Sequence, residues 1–244
     1  MKNQAEQNPI VPPEAAHAAP EAGAVNFESL GSRLRAGRER LEISLRELAR
    51  RINVSPSLIS QIERGLAMPS VSTLWLLSTE LGLTIDELFS TSERASPTPS
   101  AALGPETAAS GSPVLRRQAR KRIGLAGGVA WERLTAQPDD EVEFLHVVYQ
   151  PGAQSCPPDQ LFRHGGKEYA YVLSGRLGLQ IGFESYELEA GDSASFSAQM
   201  PHRLWAVGAE PAVAIWVVIN RTGDTRRTGG DAGRAGTASP RKRG

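Results

Sequence analysis

A single cysteine, Cys156, stands among 244 residues, so no disulfide can close within the chain and a disulfide-stapled scaffold is excluded. Long hydrophobic runs are missing too. The longest, Ala212–Ile219, is far shorter than the roughly 20 apolar residues that a spanning helix needs. The N-terminal stretch MKNQAEQNPIVPPEAAHAAPEAG has no apolar h-region, so it does not read as a secretory signal, and a cytoplasmic protein without membrane contact is the expectation. Charge of one sign is also lacking, because 27 basic residues balance 27 acidic ones. The distribution says more than the total. Between Phe27 and Arg64 eight arginines face five glutamates, a local excess that favours a polyanion and is screened by salt.

What is present divides the chain. Residues 1–26 are rich in Ala, Pro and Glu without hydrophobic periodicity, and such a segment buries too little surface to offset its ordering entropy. Residues 91–113 read as a flexible linker and 222–244 as a disordered basic tail ending in Arg241, Lys242 and Arg243. Two segments remain: 27–90 with helical spacing, and 114–221 with short alternating runs punctuated by Gly and Pro. The expected fold class is therefore α+β multidomain.

In the first segment Leu30, Leu34 and Leu41 set a helical stripe whose other face is rich in arginine. Ser44 can N-cap a second helix carrying Leu45, Leu48, Ala49 and Ile52, with Glu47 at capping-box spacing. Asn53-Val54 then makes a tight turn, and Ser55 caps a third helix with Pro56 at its first position. Leu58, Ile59 and Ile62 form the buried stripe of that helix, and Gly65 ends it. Two more short helices are predicted around Val71–Leu81 and Ile85–Phe89, giving a five-helix bundle.

The stretch ISLRELARRINVSPSLISQIERG resembles the helix-turn-helix of the Xre/phage-repressor family, in Ala49 between the helices, Val54 in the turn and the closing Ile62–Gly65. The resemblance implies that the third helix enters the major groove of double-stranded DNA. It makes Ser55, Pro56, Ser57, Ser60 and Gln61 the groove-facing candidates, with Gln61 suited to bidentate contact with adenine. Ser44, Arg46 and Arg64 are better placed for phosphates. Glu63 is expected to pair with an arginine of the first helix, such as Arg33.

From Val114 onward the apolar period falls to two. Strands are predicted over 142–149, 168–173, 177–181, 186–188, 193–196 and 212–219, which suggests a closed barrel or sandwich. HGGKEYAYVLSG (His164–Gly175) and GDSASFSAQMPH (Gly191–His202) resemble the two sequence motifs of the cupin superfamily, a double-stranded β-helix or jelly-roll barrel. On that resemblance Glu168, His164 and His202 take the places of three metal ligands, while Phe162 stands where the first histidine belongs. Two imidazoles and a carboxylate suit a divalent metal such as Zn, Fe, Mn or Ni; the other reading is a metal-free pocket in which the same groups bind an organic effector. If the strand runs unbroken through Gly165-Gly166, residues 162, 164, 168, 170 and 172 share one face.

Arg163 beside His164 is a candidate to hold an effector carboxylate. Trp131, His146, Cys156, Trp205 and Trp216 are further candidates for pocket walls, whereas alternation turns Tyr169 and Tyr171 outward, to the outside of the barrel or to a subunit interface. The basic run Arg116, Arg117, Arg120, Lys121 and Arg122 reads as a solvated first strand, with assistance to DNA binding as the other reading. Together these features point to a homodimeric, sequence-specific transcription regulator, by default a repressor, that binds a small-molecule effector. A cupin metalloenzyme fused to a DNA-binding domain is the alternative, and an antitoxin-like repressor a third reading.

Overall fold

The computed structural model describes residues 27–89, 112–139 and 141–220. The expected tails, including Arg241–Arg243, and residues 91–111 of the expected linker lie outside them.

Five helices come first: α1 (Phe27–Arg40), α2 (Leu45–Arg51), α3 (Pro56–Glu63), α4 (Val71–Leu81) and α5 (Ile85–Phe89). Side chains set their starts. Ser44 accepts from the Glu47 N–H, Ser55 from the Leu58 N–H and Ser70 from the Thr73 N–H, each satisfying one N–H that a helix start leaves without a partner. The reciprocal capping box forms at α5 rather than at α2. Thr84 and Glu87 exchange side-chain and backbone bonds, whereas the Glu47 carboxylate turns to Arg50 and Arg51. Leu30, Leu34, Leu48, Ile59, Ile62, Leu74 and Leu81 form the core of the bundle. Leu41, expected on the buried stripe, lies past the end of α1 in the turn that Glu42 completes at φ 55°, and it is exposed.

Among the described residues nine strands follow: β1 (Arg122–Leu125), β2 (Val129–Arg133), β3 (Val142–Tyr149), β4 (Lys167–Ser174), β5 (Arg176–Ile181), β6 (Glu184–Leu188), β7 (Ser193–Ser197), β8 (His202–Val207) and β9 (Ala212–Ile219). They pair antiparallel in a six-stranded sheet ordered β1-β2-β3-β9-β4-β7 and a three-stranded sheet ordered β6-β5-β8. Gly175 makes the β4–β5 turn at φ 71°, and a β-carbon there would lie 2.1 Å from the Pro211 carbonyl oxygen, so no other residue fits. The first strand expected over the basic run starts only at its last residue, Arg122, after a short 3-10 turn at Arg117–Ala119, and β2 and β8 were not among the predicted strands; in β8 the histidine at one end and the small Ala206 blur the alternation. The strand expected to run unbroken from Phe162 is interrupted. Gly165-Gly166 form a bend, Gly166 sits at φ 101°, and β4 begins only at Lys167.

The linker composition suggests a loose tether, yet the helical and β units pack directly on each other. Ser72 N–H donates to the Ser155 carbonyl at 3.2 Å and Ala126 N–H to the Pro69 carbonyl at 2.9 Å. Glu143 on β3 accepts from the Ile85 N–H at the start of α5 at 3.0 Å. Asp86, buried at 2% exposure, accepts from the Asp139 N–H and lies 3.5 Å from the Arg133 guanidinium. Burial pushes the Asp86 carboxyl upward, against the Asp139 N–H and the Arg133 charge.

Candidate functional site

Two regions bring together the residues that carry chemistry. On the helical unit, α2 and α3 are joined by a turn in which Asn53 takes φ 56°, a left-handed conformation that asparagine tolerates. Ala49 is fully packed, and Val54 closes the turn with an N–H bond to its carbonyl at 2.9 Å. Ser55, Pro56, Ser57 and Gln61 are exposed on α3, and Ser60 is half-buried. Arg64 follows in the C-cap position, exposed, with its Nε donating to the Ser60 carbonyl at 3.1 Å. Ser44 and Arg46 are exposed at the start of α2, so all eight expected contact residues lie on α2, α3 or their caps.

The orientation of α3 is fixed by a buried ion pair. Glu63 accepts two bonds from Arg38, at 2.6 and 3.0 Å, and Arg38 also donates to the Ile43 carbonyl at 3.0 Å. The partner is an arginine of α1, as expected, though not the example given: Arg33 donates to the Leu88 carbonyl at the far end of the bundle. Both arginines lie on α1; Arg38, one and a half turns on, is the one that faces α3.

The second region lies between the two sheets. Glu168 enters from β4 and His202 from the start of β8, while His164 reaches the same place from the bend before β4. His164 Nε2 lies 2.7 Å from Glu168 Oε1, and His202 Nε2 lies 3.4 Å from the same oxygen. The second contact is the longer and weaker of the two. The three side chains are at most 3% exposed.

Each ring is held from behind. His164 Nδ1 lies 2.8 Å from the Gly165 carbonyl and His202 Nδ1 lies 2.8 Å from the Met200 carbonyl, so both Nδ1 atoms must carry the proton. The inward Nε2 atoms are then the ones available to a ligand. Trp216 Nε1–H donates to Glu168 Oε2 at 3.0 Å, which leaves Oε1 facing the histidines. Burial would raise the Glu168 carboxyl, but hydrogen bonding from His164 and His202 and their charges outweigh it and hold it down to about 2. For His202 burial works against the cation, and bonding to Glu168 more than offsets it, so its net shift is upward.

The ligand atoms of the three residues lie within 4.8 Å of one another. Their chemistry fits a divalent metal: two imidazoles in the correct tautomer, one ionised carboxylate, and an outer hydrogen bond orienting each. Phe162 lines the same cavity and bridges to His202 as an isolated β-pair, its ring 4.6 Å from the His202 ring, so it fills the fourth position with an apolar face.

Trp131, Leu145, Val147, Tyr149 and Trp216 complete the β walls of the cavity. Arg163 is exposed and does not line it, which removes that cation from the candidate site: alternation across His164 points it to solvent. His146 lies instead beside Glu132 at 3.4 Å, and Trp205 lies under the Arg203 guanidinium. Cys156 is a buried thiol outside the lining, its pKa raised by burial. Tyr169 and Tyr171 are exposed on the outer face of β4.

Two wall residues come from the helical unit and were not foreseen. Val71 and Trp75, one turn apart on α4, close the cavity, and the Trp75 indole lies 4.2 Å from the His164 ring and edge-on to Trp131 at 6.0 Å. A signal was present: α4 reads VSTLWLLSTEL, apolar on too many sides for a helix with a single buried face.

Two family models match the chain. One for the helix-turn-helix covers residues 34–88, and one for the cupin domain covers 145–218. The HTH-type transcriptional regulator PuuR of Escherichia coli (strain K12) is 28% identical over 173 residues, which span 70% of this chain and 84% of PuuR. A second curated relative, the HTH-type transcriptional regulator SutR of the same organism, is 25% identical over 191 residues, 78% of this chain and 94% of SutR. Among solved structures, an HTH_3 family transcriptional regulator from Vibrio cholerae shares the fold with a TM-score of 0.55 at 22% identity, covering 80% of this chain and 96% of that one. No helix among the described residues is long and apolar enough to cross a membrane.

Proposed function

From the premise that this chain is a DNA-binding transcription regulator, an Xre-type helix-turn-helix domain joined to a cupin domain, we propose that it is an effector-responsive repressor acting as a homodimer. α3 reads base edges through Ser57, Ser60 and Gln61, and Ser44, Arg46 and Arg64 hold phosphates. The cupin cavity binds the effector. A divalent ion held by His164, Glu168 and His202 would offer an electrophilic point for an oxygen or nitrogen donor of that effector.

The observation that carries the reading is the sealed His164–Glu168–His202 cluster, set against the helical domain rather than open to bulk solvent. The same enclosure favours a sensor over an enzyme, because Phe162 takes one ligand place and Trp75 stands where a substrate would enter. The dimer follows from operator geometry, since one helix-turn-helix reads too few base pairs alone. A surface suited to a second copy is the outer face of the six-stranded sheet, where Phe144, Tyr169, Tyr171 and Leu173 are exposed.

The test is selection of bound sequences from random DNA, followed by Gln61→Ala. The variant should lose roughly 5- to 100-fold on the selected site and little on random DNA. Equal loss on both would remove Gln61 from base reading. Metal analysis of the protein and of His202→Ala decides the ligand set, and equal metal content in the two would refute it.

A further inference from the structure

Within the cavity the space left over amounts to about 20 Å³. That is enough for one water molecule or one ion, whereas a dry apolar cavity that admits a benzene ring measures about 150 Å³. An organic molecule therefore cannot reach His164, Glu168 and His202 while the structure stays as described. Something must leave, and the walls differ in how they are held.

Trp131, Tyr149 and Trp216 sit on strands locked into the six-stranded sheet by ladders on both sides. Val71 and Trp75 sit on α4, which belongs to the other domain. Among the contacts that join that domain to the cupin are the Ser72, Ala126, Ile85 and Asp139 N–H bonds, the Asp86–Arg133 pair and the Trp75 ring itself. Trp75 is 4% exposed and its indole lies over the His164 imidazole, tilted by 35°. A flat aromatic group thus already occupies the slot, supplied by the chain.

We infer that this slot is the binding site for a small aromatic or similarly flat apolar molecule, and that Trp75 stands in for it, so that ligand and docked DNA-binding domain compete for one place. The inference rests on the reading of the cavity as the effector site. Its consequence is a direct coupling. A ligand that displaces Trp75 breaks the contact that seats α4 on the cupin, and the domain carrying α3 is released from it. By reciprocity, docking weakens the ligand by the factor by which the ligand weakens docking.

The experiment uses the full chain and indole, the ring that Trp75 presents. Isothermal titration should show indole binding to Trp75→Ala about tenfold or more tightly than to the unaltered chain, because a tethered competitor at effective millimolar concentration has gone. A second measurement needs no variant. At saturating indole, amide hydrogen exchange at Ser72 and Ala126, whose N–H groups bridge the two domains, should rise about tenfold or more in the unaltered protein. Trp75→Leu provides the same titration should the alanine variant lose its circular dichroism.

Indole binding no tighter to either variant than to the unaltered chain overturns the inference, as does saturation without loss of protection at Ser72 and Ala126. Zinc titration of the same proteins separates this from failure of the underlying reading. Retained zinc binding that His202→Ala abolishes leaves the effector site standing while the Trp75 slot falls. Zinc binding indifferent to His202→Ala defeats the site itself.

Discussion

Replacing Glu63 by alanine should loosen α3 more than any other single change on the helix-turn-helix surface. Glu63 and Arg38 meet through two parallel bonds at 2.6 and 3.0 Å, and their side chains are only 6% and 12% exposed. At an effective dielectric near 20 the gross attraction across about 2.8 Å is about 6 kcal/mol, most of it offset by the loss of hydration of both groups. The pair therefore adds little net stability. Breaking it on one side is different, because Arg38 then keeps its charge in a largely buried place with only the Ile43 carbonyl and the more distant Glu39 carboxylate, at 3.8 Å, to answer it. Such a break costs about 3–5 kcal/mol.

The assay is native-state hydrogen exchange at Ile59 and Ile62, both buried on α3. A loss of about 3 kcal/mol appears there as roughly a hundredfold or greater fall in protection. The double replacement Arg38→Met with Glu63→Leu removes both charges and keeps the volume, and should restore stability to within about 1 kcal/mol of the parent. A single-variant cost below about 1 kcal/mol, or a double variant as unstable as the sum of the two singles, would show that the pair does not hold α3.

Three further outcomes follow from the cupin domain. Trp216→Phe keeps an aromatic ring, though a smaller one, and deletes the N–H that orients Glu168; it should weaken metal binding about 10- to 100-fold in a competition titration, and unchanged affinity would show that the bond does not matter. Gly178→Ala places a β-carbon 2.0 Å from the Trp205 ring, which Arg203 holds from the other side, and should cost roughly 1–3 kcal/mol in thermal unfolding. In metal-free protein the pH profile has two limbs. Glu168 is depressed to about 2 from 4.5, so its contribution is present above 4.5 and lost as pH falls. His202 is raised above 6.5, so its contribution is present below 6.5 and lost as pH rises. The melting temperature should therefore be highest between those values, and a profile still rising above pH 8 would contradict the pairing.

The helical domain was legible because its signals are local. Ser44, Ser55 and Pro56 act within a turn of their own positions, and the stripe of Leu58, Ile59 and Ile62 needs only a period. What failed there was the choice among arginines, since Arg33 and Arg38 differ only in the face of α1 they occupy, and that is decided by α3. In the cupin domain the motif intervals placed Glu168, His164 and His202 correctly on one cavity, even though the strand meant to carry them breaks at Gly165-Gly166. Arg163 was misplaced because adjacency in sequence to His164 is the reverse of adjacency in space along extended chain.

Trp75 was illegible for a deeper reason, and it bears on how the protein is divided. A helix-turn-helix bundle of this size needs one apolar face from α4, which Leu74, Leu77 and Leu81 supply. Val71 and Trp75 are surplus to that need, and on an isolated domain they would be an exposed apolar patch. Burying Trp75 against His164 and Trp131 turns the surplus into an interface, so the apparent excess of α4 is the imprint of the second domain on the sequence of the first. A boundary drawn at the linker divides the sequence but not the packing. The helix-turn-helix domain and the cupin cavity share Val71 and Trp75, so the packing of the one is part of the packing of the other.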